Sequence, residues 1–398
     1  MSRKKVKLSE LYSFQYGQWN TIENIWWDYP IYWSNWPVWF TNKYNNEDAP
    51  VIGHIWAYAW IVNWASWKHF VTYNWVMCNI KDWIDSKFWY YTLLVSKLQK
   101  RLRWSSQPFI SYDLLNDIDV LLPETVEEQE KIGKVLSDID GKIELNNKIS
   151  SELEAMAKEI YDYRFVQFDF PDENGKPYKS SGWKMVWNEE LKRKIPEGWE
   201  VSTLKGRYKI ERGISYSSKD IELGDGVPMI NLASIDRSRN YRDNELKYYS
   251  GKISDGDMLK PFDLLIACTD LTRECEIIWC PILTPDDWNS YTYSMDIAKI
   301  HFTDNKLVDL YMYMALRTDF YHNYIKHWAS GTNVLHLNLD GLDWYYMSIP
   351  SVKLQEKYAW IIKTIHSKRS KIMVENNKLM ELRDFLLPML MNGQVTVK

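Results

Sequence analysis

Two stretches of the chain carry apolar residues at spacings of three and four, which is the pattern of an amphipathic helix. The first runs from Val126 to about Tyr163, and Glu, Lys and Asp fill its other face. The second runs from about Lys353 to Met391. Because each apolar stripe needs a partner, two such helices would pack as a parallel or an antiparallel pair. At 1.5 Å per residue, roughly 35 to 40 residues span about 55–60 Å.

The rest of the chain alternates short strand-like runs with turn residues. One such segment covers residues 1–122, and a second runs from Ile195 to about Ser348. Each also holds one more helical stretch, and a polar connector containing Pro and Gly precedes the second segment. The pattern therefore predicts an α+β fold with two β-rich segments and two long helices.

The two halves of the chain repeat each other. The spacing of Leu8 and Gly17 recurs in Leu204 and Gly213, with a tyrosine at the same place between them, Tyr12 and Tyr208. The later repeated pieces are Trp104-Ser-Ser and Gly331-Thr-Asn, Pro123 and Pro350, Gln-Glu-Lys at 129–131 and 355–357, and Asn-Asn-Lys at 146–148 and 376–378. A repeat of this length is too long for a solenoid unit. It indicates two copies of one module, each a globular segment followed by a long helix, which suits a two-part target.

One polar residue interrupts the first apolar stripe. Asn146 falls where the helical spacing places an apolar side chain. A buried asparagine in a helix seam commonly sets the register of the pair. The alternative is an exposed asparagine at the edge of the stripe, and the spacing alone leaves both open.

Composition narrows the class of protein. The net charge of −4 does not announce a nucleic-acid binder, so contact with a polyanion would need local basic patches. Four cysteines are too few for a disulfide scaffold and favour reduced thiols. No apolar run of membrane-spanning length occurs and no signal sequence opens the chain, so we expect a cytoplasmic protein that does not bind a membrane.

Several segments together resemble the specificity subunit of type I restriction–modification systems. They are the tandem globular-plus-helix modules, Pro196-Glu-Gly-Trp at the start of the second segment, and Leu382-Arg-Asp-Phe-Leu-Leu-Pro-Met-Leu-Met-Asn-Gly-Gln-Val near the end. The resemblance implies two β-rich α/β target-recognition domains separated by an antiparallel pair of spacer helices. The implied boundaries are 1–122 and 196–349 for the domains, 123–165 and 350–391 for the helices, and 166–195 for the connector.

The resemblance also implies a DNA-binding subunit without catalysis of its own. Its partners would be double-stranded DNA, methyltransferase subunits that use S-adenosylmethionine, and restriction subunits that use ATP and Mg²⁺. This chain would hold no cofactor and no metal. The sequence agrees, because it lacks an Asn/Asp-Pro-Pro-aromatic methyltransferase motif and a phosphate-binding G-x-x-x-x-G-K-[ST]. A standalone restriction or modification enzyme and a protein-binding helical scaffold are the alternatives.

Residues that could contact DNA are polar or basic side chains in loops and at strand ends. The candidates are Lys43, Lys68, Ser105, Ser106, Gln107, Arg212, Ser215, Lys219, Arg237, Arg239, Thr332 and Asn333. The residues expected to pack the spacer helices are Ile132, Leu136, Ile139, Asn146, Leu153, Ile365, Ile372, Asn376, Leu379 and Leu386. Turns with purely structural polar residues, and solvated basic faces, are the alternatives.

Tryptophan is unusually abundant and often stands where a turn favours glycine. The chain has 22 Trp against 16 Gly, and Trp104 takes the place that Gly331 holds in the second copy. We therefore hypothesise that UGA codons of the source encode glycine at many of these positions. The positions are Trp19, Trp26, Trp27, Trp33, Trp36, Trp39, Trp56, Trp60, Trp67, Trp75, Trp104, Trp183, Trp279, Trp288 and Trp344. An aromatic platform that stacks unpaired bases is the alternative.

Overall fold

The computed structural model describes residues 3–19, 28–32, 37–54, 61–81, 86–96, 110–222, 226–243, 246–272, 274–331 and 334–397. Within them the chain mixes helices and strands, which confirms the predicted α+β class. The chain divides into two compact units. Unit 1 is Met1–Asn146 with Asn376–Lys398, and unit 2 is Asn147–Glu375. Each unit contains a globular part and one segment of each long helix.

The strands of unit 1 are β1 (Arg3–Lys7), β2 (Tyr12–Tyr16), β3 (Tyr29–Tyr32), β4 (Pro37–Thr41), β5 (Asn46–Gly53), β6 (Val62–Val71), β7 (Trp75–Ile80) and β8 (Asp119–Pro123). Its short helices are α1 (Leu8–Leu11), α2 (Ser86–Val95) and α3 (Tyr112–Asn116). Six strands form one sheet in the order β2-β7-β5-β6-β3-β4, and β1 pairs with β8. The buried side chains of α2, including Phe88 and Leu93, join a core that also contains Ile132 and Leu390 of the long helices.

The strands of unit 2 are β9 (Met185–Asn188), β10 (Arg193–Pro196), β11 (Glu200–Thr203), β12 (Tyr208–Arg212), β13 (Ile221–Glu222), β14 (Val227–Ile230), β15 (Lys247–Tyr249), β16 (Leu264–Ala267), β17 (Thr269–Asp270), β18 (Pro281–Leu283), β19 (Thr292–Tyr293), β20 (Ile297–Phe302), β21 (Ala329–Ser330), β22 (Leu335–Leu337) and β23 (Tyr346–Ile349). They form two four-stranded sheets, a three-stranded sheet and two pairs. The core holds Tyr311, Tyr358 and Ile362, so it too includes side chains of a long helix.

The long helices are α4 (Val126–Tyr161) and α8 (Val352–Met391), and the short helices α5 (Asp309–Ala315), α6 (Asp319–Ile325) and α7 (Asp340–Asp343) lie between them in the chain. Glu127 and Glu128 in the first turn of α4 favour its start, because carboxylates stabilise the positive end of the helix dipole. A single π-helical turn, Asp162–Val166, follows α4. Gly393, with φ of 74°, takes the left-handed backbone that ends α8. Among the described helices, none is long and apolar enough to cross a membrane.

Two of the questioned tryptophans have a left-handed backbone, which costs a side-chain-bearing residue free energy that glycine does not lose. Trp67 has φ of 59° with an exposed side chain, and Trp279 has φ of 53° with a buried one. Trp75 differs, since it is buried in the core and its backbone is not left-handed. Trp26, Trp27, Trp33, Trp36, Trp56, Trp60 and Trp104 lie outside the described residues.

Candidate nucleic-acid interface and its helical support

The sequence repeat corresponds to the same framework contacts in each unit. The strand before Leu8 (β1) pairs antiparallel with β8, and the strand before Leu204 (β11) pairs antiparallel with β23. Both leucines are fully buried. A Cβ added at Gly17 would lie 2.1 Å from the Thr72 carbonyl oxygen, and one at Gly213 would lie 2.3 Å from that of Tyr293. The repeated glycines are therefore required by close approach of the backbone.

The repeated glutamine makes the same hydrogen bond twice. Gln129 donates from Nε2 to the carbonyl oxygen of Pro123 over 2.9 Å, and Gln355 donates to that of Pro350 over 2.9 Å. Both side chains are buried. Each glutamine donates a hydrogen bond to a carbonyl at the point where a strand ends and a long helix begins. A buried carbonyl left without a hydrogen bond would cost free energy. The repeat of proline and glutamine thus has a structural cause.

The repeated asparagines meet each other inside unit 1. Asn146 donates from Nδ2 to Oδ1 of Asn376 over 2.9 Å, and both side chains are buried. Of the two alternatives for Asn146, the structure therefore shows the buried one. An amide pair in a helix seam favours the alignment that brings the two amides together, since a slipped register would leave them buried and unpaired.

The helix segments run antiparallel within each unit. In unit 1, Asp140 bonds Arg383 while Asn146 bonds Asn376. In unit 2, Tyr358 donates its hydroxyl to the carbonyl of Ala157 over 2.8 Å, while Glu154 bonds Arg369. Of the residues expected in the packing, Ile132, Leu136, Ile365 and Ile372 are buried and Ile139, Leu153, Leu379 and Leu386 are half-buried.

Candidate DNA contacts in unit 1 lie near the strands β4 to β6. Lys43 is exposed. The ammonium of Lys68 lies 4.6 Å from the centre of the Tyr44 ring, and its bond to Tyr44 raises the pKa of Lys68. Both lysines remain candidates for phosphate contact. Ser105, Ser106 and Gln107 lie outside the described residues.

The candidates in unit 2 differ in how freely they can reach a ligand. Arg212, Ser215 and Lys219 are exposed, and Arg212 also donates to the Met295 carbonyl over 3.1 Å. Arg239 is held more tightly: it has φ of 65° and donates to Asp319 over 2.5 Å. Thr332 and Asn333 lie outside the described residues.

Arg237 lies beside a loop that sequence reasoning did not single out. Its guanidinium is 3.5 Å from Glu276, and its own side chain is 82% exposed. Asp270, fully buried, accepts bonds from the backbone N–H groups of Thr272, Ile277 and Ile278 at 2.6 to 2.8 Å. Its strand β17 joins β22 and β21 in the three-stranded sheet. No sequence pattern marks Asp270, because the groups that it binds follow it in an irregular loop.

The chain matches known proteins in both its sequence and its fold. Residues 5–155 match the family model described as the type I restriction modification DNA specificity domain. The MjaIX type I restriction enzyme specificity subunit of Methanocaldococcus jannaschii is 25% identical over 333 residues, which cover 80% of this chain and 71% of that protein. The HindI specificity subunit of Haemophilus influenzae is 23% identical over 350 residues, covering 75% and 74%. Over most of its length the chain is thus similar to type I restriction enzyme specificity subunits.

A solved structure shows the same fold. The S subunit of a type I restriction–modification system from M. genitalium superposes with a TM-score of 0.60 over 98% of this chain and 96% of that chain, at 16% identity. The resemblance noted from the sequence is thereby confirmed by similar proteins and by a similar fold. In each unit of this chain, side chains of the long helices share the core of the globular part.

The basic residues of β1 make contacts within unit 1. In the basic run of β1, Arg3 pairs with Glu128 over 2.9 Å and Lys5 with Asp119 over 2.9 Å. Arg3 also donates to the carbonyls of Leu390 and Met391, so it ties the first strand to the end of α8 within unit 1. Among the described residues, no group of three or more His, Cys, Asp or Glu is placed to hold a metal ion. The described cysteines are free thiols, and burial raises the pKa of Cys280 to about 12.

Proposed function

We propose that this chain recognises a bipartite DNA sequence as the specificity subunit of a type I restriction–modification complex. The observation that carries the proposal is that the two units share their framework contacts but differ in their sheets. Leucine, glycine and glutamine occupy equivalent positions in both, whereas unit 1 has one six-stranded sheet and unit 2 has several smaller ones. Two recognition domains that bind different half-sites would be expected to share framework contacts and to differ in their sheets.

In this proposal residues 1–122 and 196–349 are the two target-recognition domains, and 123–165 and 350–391 are the spacer helices. Cations with exposed or half-buried side chains are the first candidates for contact with the phosphate backbone, which supplies most of the sequence-independent affinity. They are Lys43, Lys68, Arg212, Lys219 and Arg237. Base edges would be read from loops, for which Ser105, Ser106, Gln107, Thr332 and Asn333 remain predictions. Arg239 would act by holding its turn in place rather than by touching DNA.

The chemistry would belong to partner subunits. Methyltransferase subunits with S-adenosylmethionine would modify the target, and restriction subunits with ATP and Mg²⁺ would cleave unmodified DNA. The chain itself would be non-catalytic and would work in the cytoplasm. An overall charge of −4 fits a protein that shares its DNA contact with partners better than one that binds alone.

The proposal is tested by a domain exchange. The full chain is co-expressed with a type I methyltransferase subunit from the same source, and methylated positions in the host DNA are mapped. Replacing residues 196–349 with the corresponding segment of another specificity subunit should change one half of the methylated motif. The other half, and the number of base pairs between the two halves (the gap), should stay unchanged. A motif that stays the same, or that changes in both halves, contradicts the assignment. Methylation or cleavage by the purified chain alone would instead identify an enzyme.

A further inference from the structure

In unit 1, one carboxylate of α4 joins three elements. Tyr91, on α2 of the globular part, donates its hydroxyl to Oδ2 of Asp140 over 2.6 Å. Arg383, on α8, donates from Nη1 to Oδ1 of the same residue over 2.9 Å. The two oxygens of one carboxylate are thus divided between the globular part and the second long helix.

In unit 2, Glu154 of α4 has the same role. Arg317, in the turn between α5 and α6, donates to Oε1 over 2.5 Å, and Arg369 of α8 donates to Oε2 over 2.8 Å. Arg317 is anchored in the globular part, because it also donates to Oδ1 of Asn240 and to the carbonyl of Arg239, each over 2.8 Å. Again one carboxylate binds a globular side chain with one oxygen and a helix arginine with the other.

The side chains that make these hydrogen bonds are largely shielded from water, which raises the free-energy cost of losing one partner. The side chains of Asp140 and Arg383 are about three-quarters covered, as are those of Glu154 and Arg369, and Tyr91 is fully buried. Burial opposes the charge of Arg383, yet the bond to Asp140 raises its pKa overall. Removing one partner would leave a partly desolvated charged group with an unfilled hydrogen-bonding site, which costs more than losing an exposed ion pair.

The two arginines stand at matching distances from the asparagine pair. Arg369 lies seven residues before Asn376 and Arg383 lies seven residues after it. A separation of seven residues returns a side chain to nearly the same face of a helix. Within unit 1, Arg383 therefore lies on nearly the same face of α8 as the buried Asn376.

We propose that Asp140 and Glu154 are positioning residues that fix the globular part of each unit at one rotation on the helix segments of that unit. The inference rests on the proposed function for its consequence: a fixed rotation of each reader lets the subunit accept one length of gap between the half-sites. Neither carboxylate would touch DNA. They would act on spacing selectivity and leave the choice of bases to the recognition loops.

The test uses the full chain in complex with methyltransferase subunits and duplexes that carry its bipartite motif, with the gap unchanged, one base pair shorter or one base pair longer. Tyr91→Phe removes the bond between the globular part and Asp140 but leaves Arg383 in place. Glu154→Gln keeps the shape of its side chain and removes the charge. We expect the ratio of affinities for the correct gap and the altered gaps to fall by about tenfold, the size of one lost charge-assisted bond. The preferred bases should stay the same.

Matched controls separate positioning from stability. Tyr12→Phe removes a buried tyrosine bond, to the Trp89 carbonyl, that lies wholly inside the globular part of unit 1. Glu200→Gln removes a carboxylate that bridges Arg207 and Lys306 inside the globular part of unit 2. These variants should lose thermal stability without changing the ratio. The proposal is overturned if Tyr91→Phe and Glu154→Gln weaken all three duplexes equally, or if the controls broaden the gap preference as much. Failure of the wild-type chain to prefer any bipartite motif would instead overturn the proposed function.

Discussion

Units 1 and 2 share a set of framework contacts at the ends of the long helices but differ in the sheets that lie between those contacts. Both have a strand that precedes a buried leucine and pairs with the strand before a long helix. Both also have a glycine in close contact with a backbone carbonyl and a glutamine bonded to a proline carbonyl. What fills the space between these points differs in strand number and order. The comparison shows that contacts at the ends of the helices can be kept while the segments between them change.

The largest expected difference between the units concerns the repeated glutamine. Gln355 also donates to the Lys306 carbonyl over 2.7 Å and accepts from the Val308 N–H over 3.0 Å. For Gln129, the side-chain oxygen is buried and, among the described residues, has no hydrogen-bond partner. We therefore expect Gln355→Met to lower the free energy of unfolding by about 3 kcal/mol and Gln129→Met by about 1 kcal/mol. Urea unfolding of the two variants measures this, and equal losses would show that the two positions are not energetically distinct.

The second expected difference between the units is the stability that each loses at acidic pH. His366, on the segment of α8 in unit 2, bonds the Thr284 carbonyl with Nε2 over 2.9 Å, and burial lowers its pKa to about 4. The unfolded chain takes up a proton near pH 6.5 and the folded chain does not, so stability falls as the pH drops from 6.5 to 4. The loss at pH 5 should be about 2 kcal/mol relative to pH 8. The segment 376–391 of α8 in unit 1 contains no histidine.

His366→Gln should remove this part of the pH dependence while leaving a donor near Thr284. Hydrogen exchange at pH 5 and pH 8 would follow the amides of each unit separately. A variant that keeps the whole acid sensitivity of unit 2 would show that groups other than His366 cause it.

The smallest expected effect tests the tryptophans. Trp67→Gly should raise the stability by about 1 kcal/mol, because it relieves a left-handed backbone and removes a side chain that is mostly exposed. Trp288→Gly is the control, since that side chain is fully exposed and its backbone is not left-handed. No gain from Trp67→Gly would count against glycine at this position. The codon is the direct check: UGG at Trp67 would contradict recoding, and UGA would agree with it.

Features that depend on residues close together in the chain could be predicted from the sequence, whereas features that depend on distant residues could not. The two long helices follow from spacings of three and four, which are local, and the structure places them at Val126–Tyr161 and Val352–Met391. The internal repeat led to the family without any contact being known. The sequence does not distinguish an arginine whose side chain is largely covered, such as Arg239, from one whose side chain is largely exposed, such as Arg237.

By itself the sequence determined the class of fold, the tandem modules and the positions at which they share residues, since periodicity and repetition are written along the chain. Only the tertiary structure decided which polar residues are buried and what they bind. Asp140 and Arg383 are 243 residues apart, and Asn146 and Asn376 are 230 apart. No local pattern can pair groups at such distances, because their interaction exists only once the helices pack and exclude water from between them.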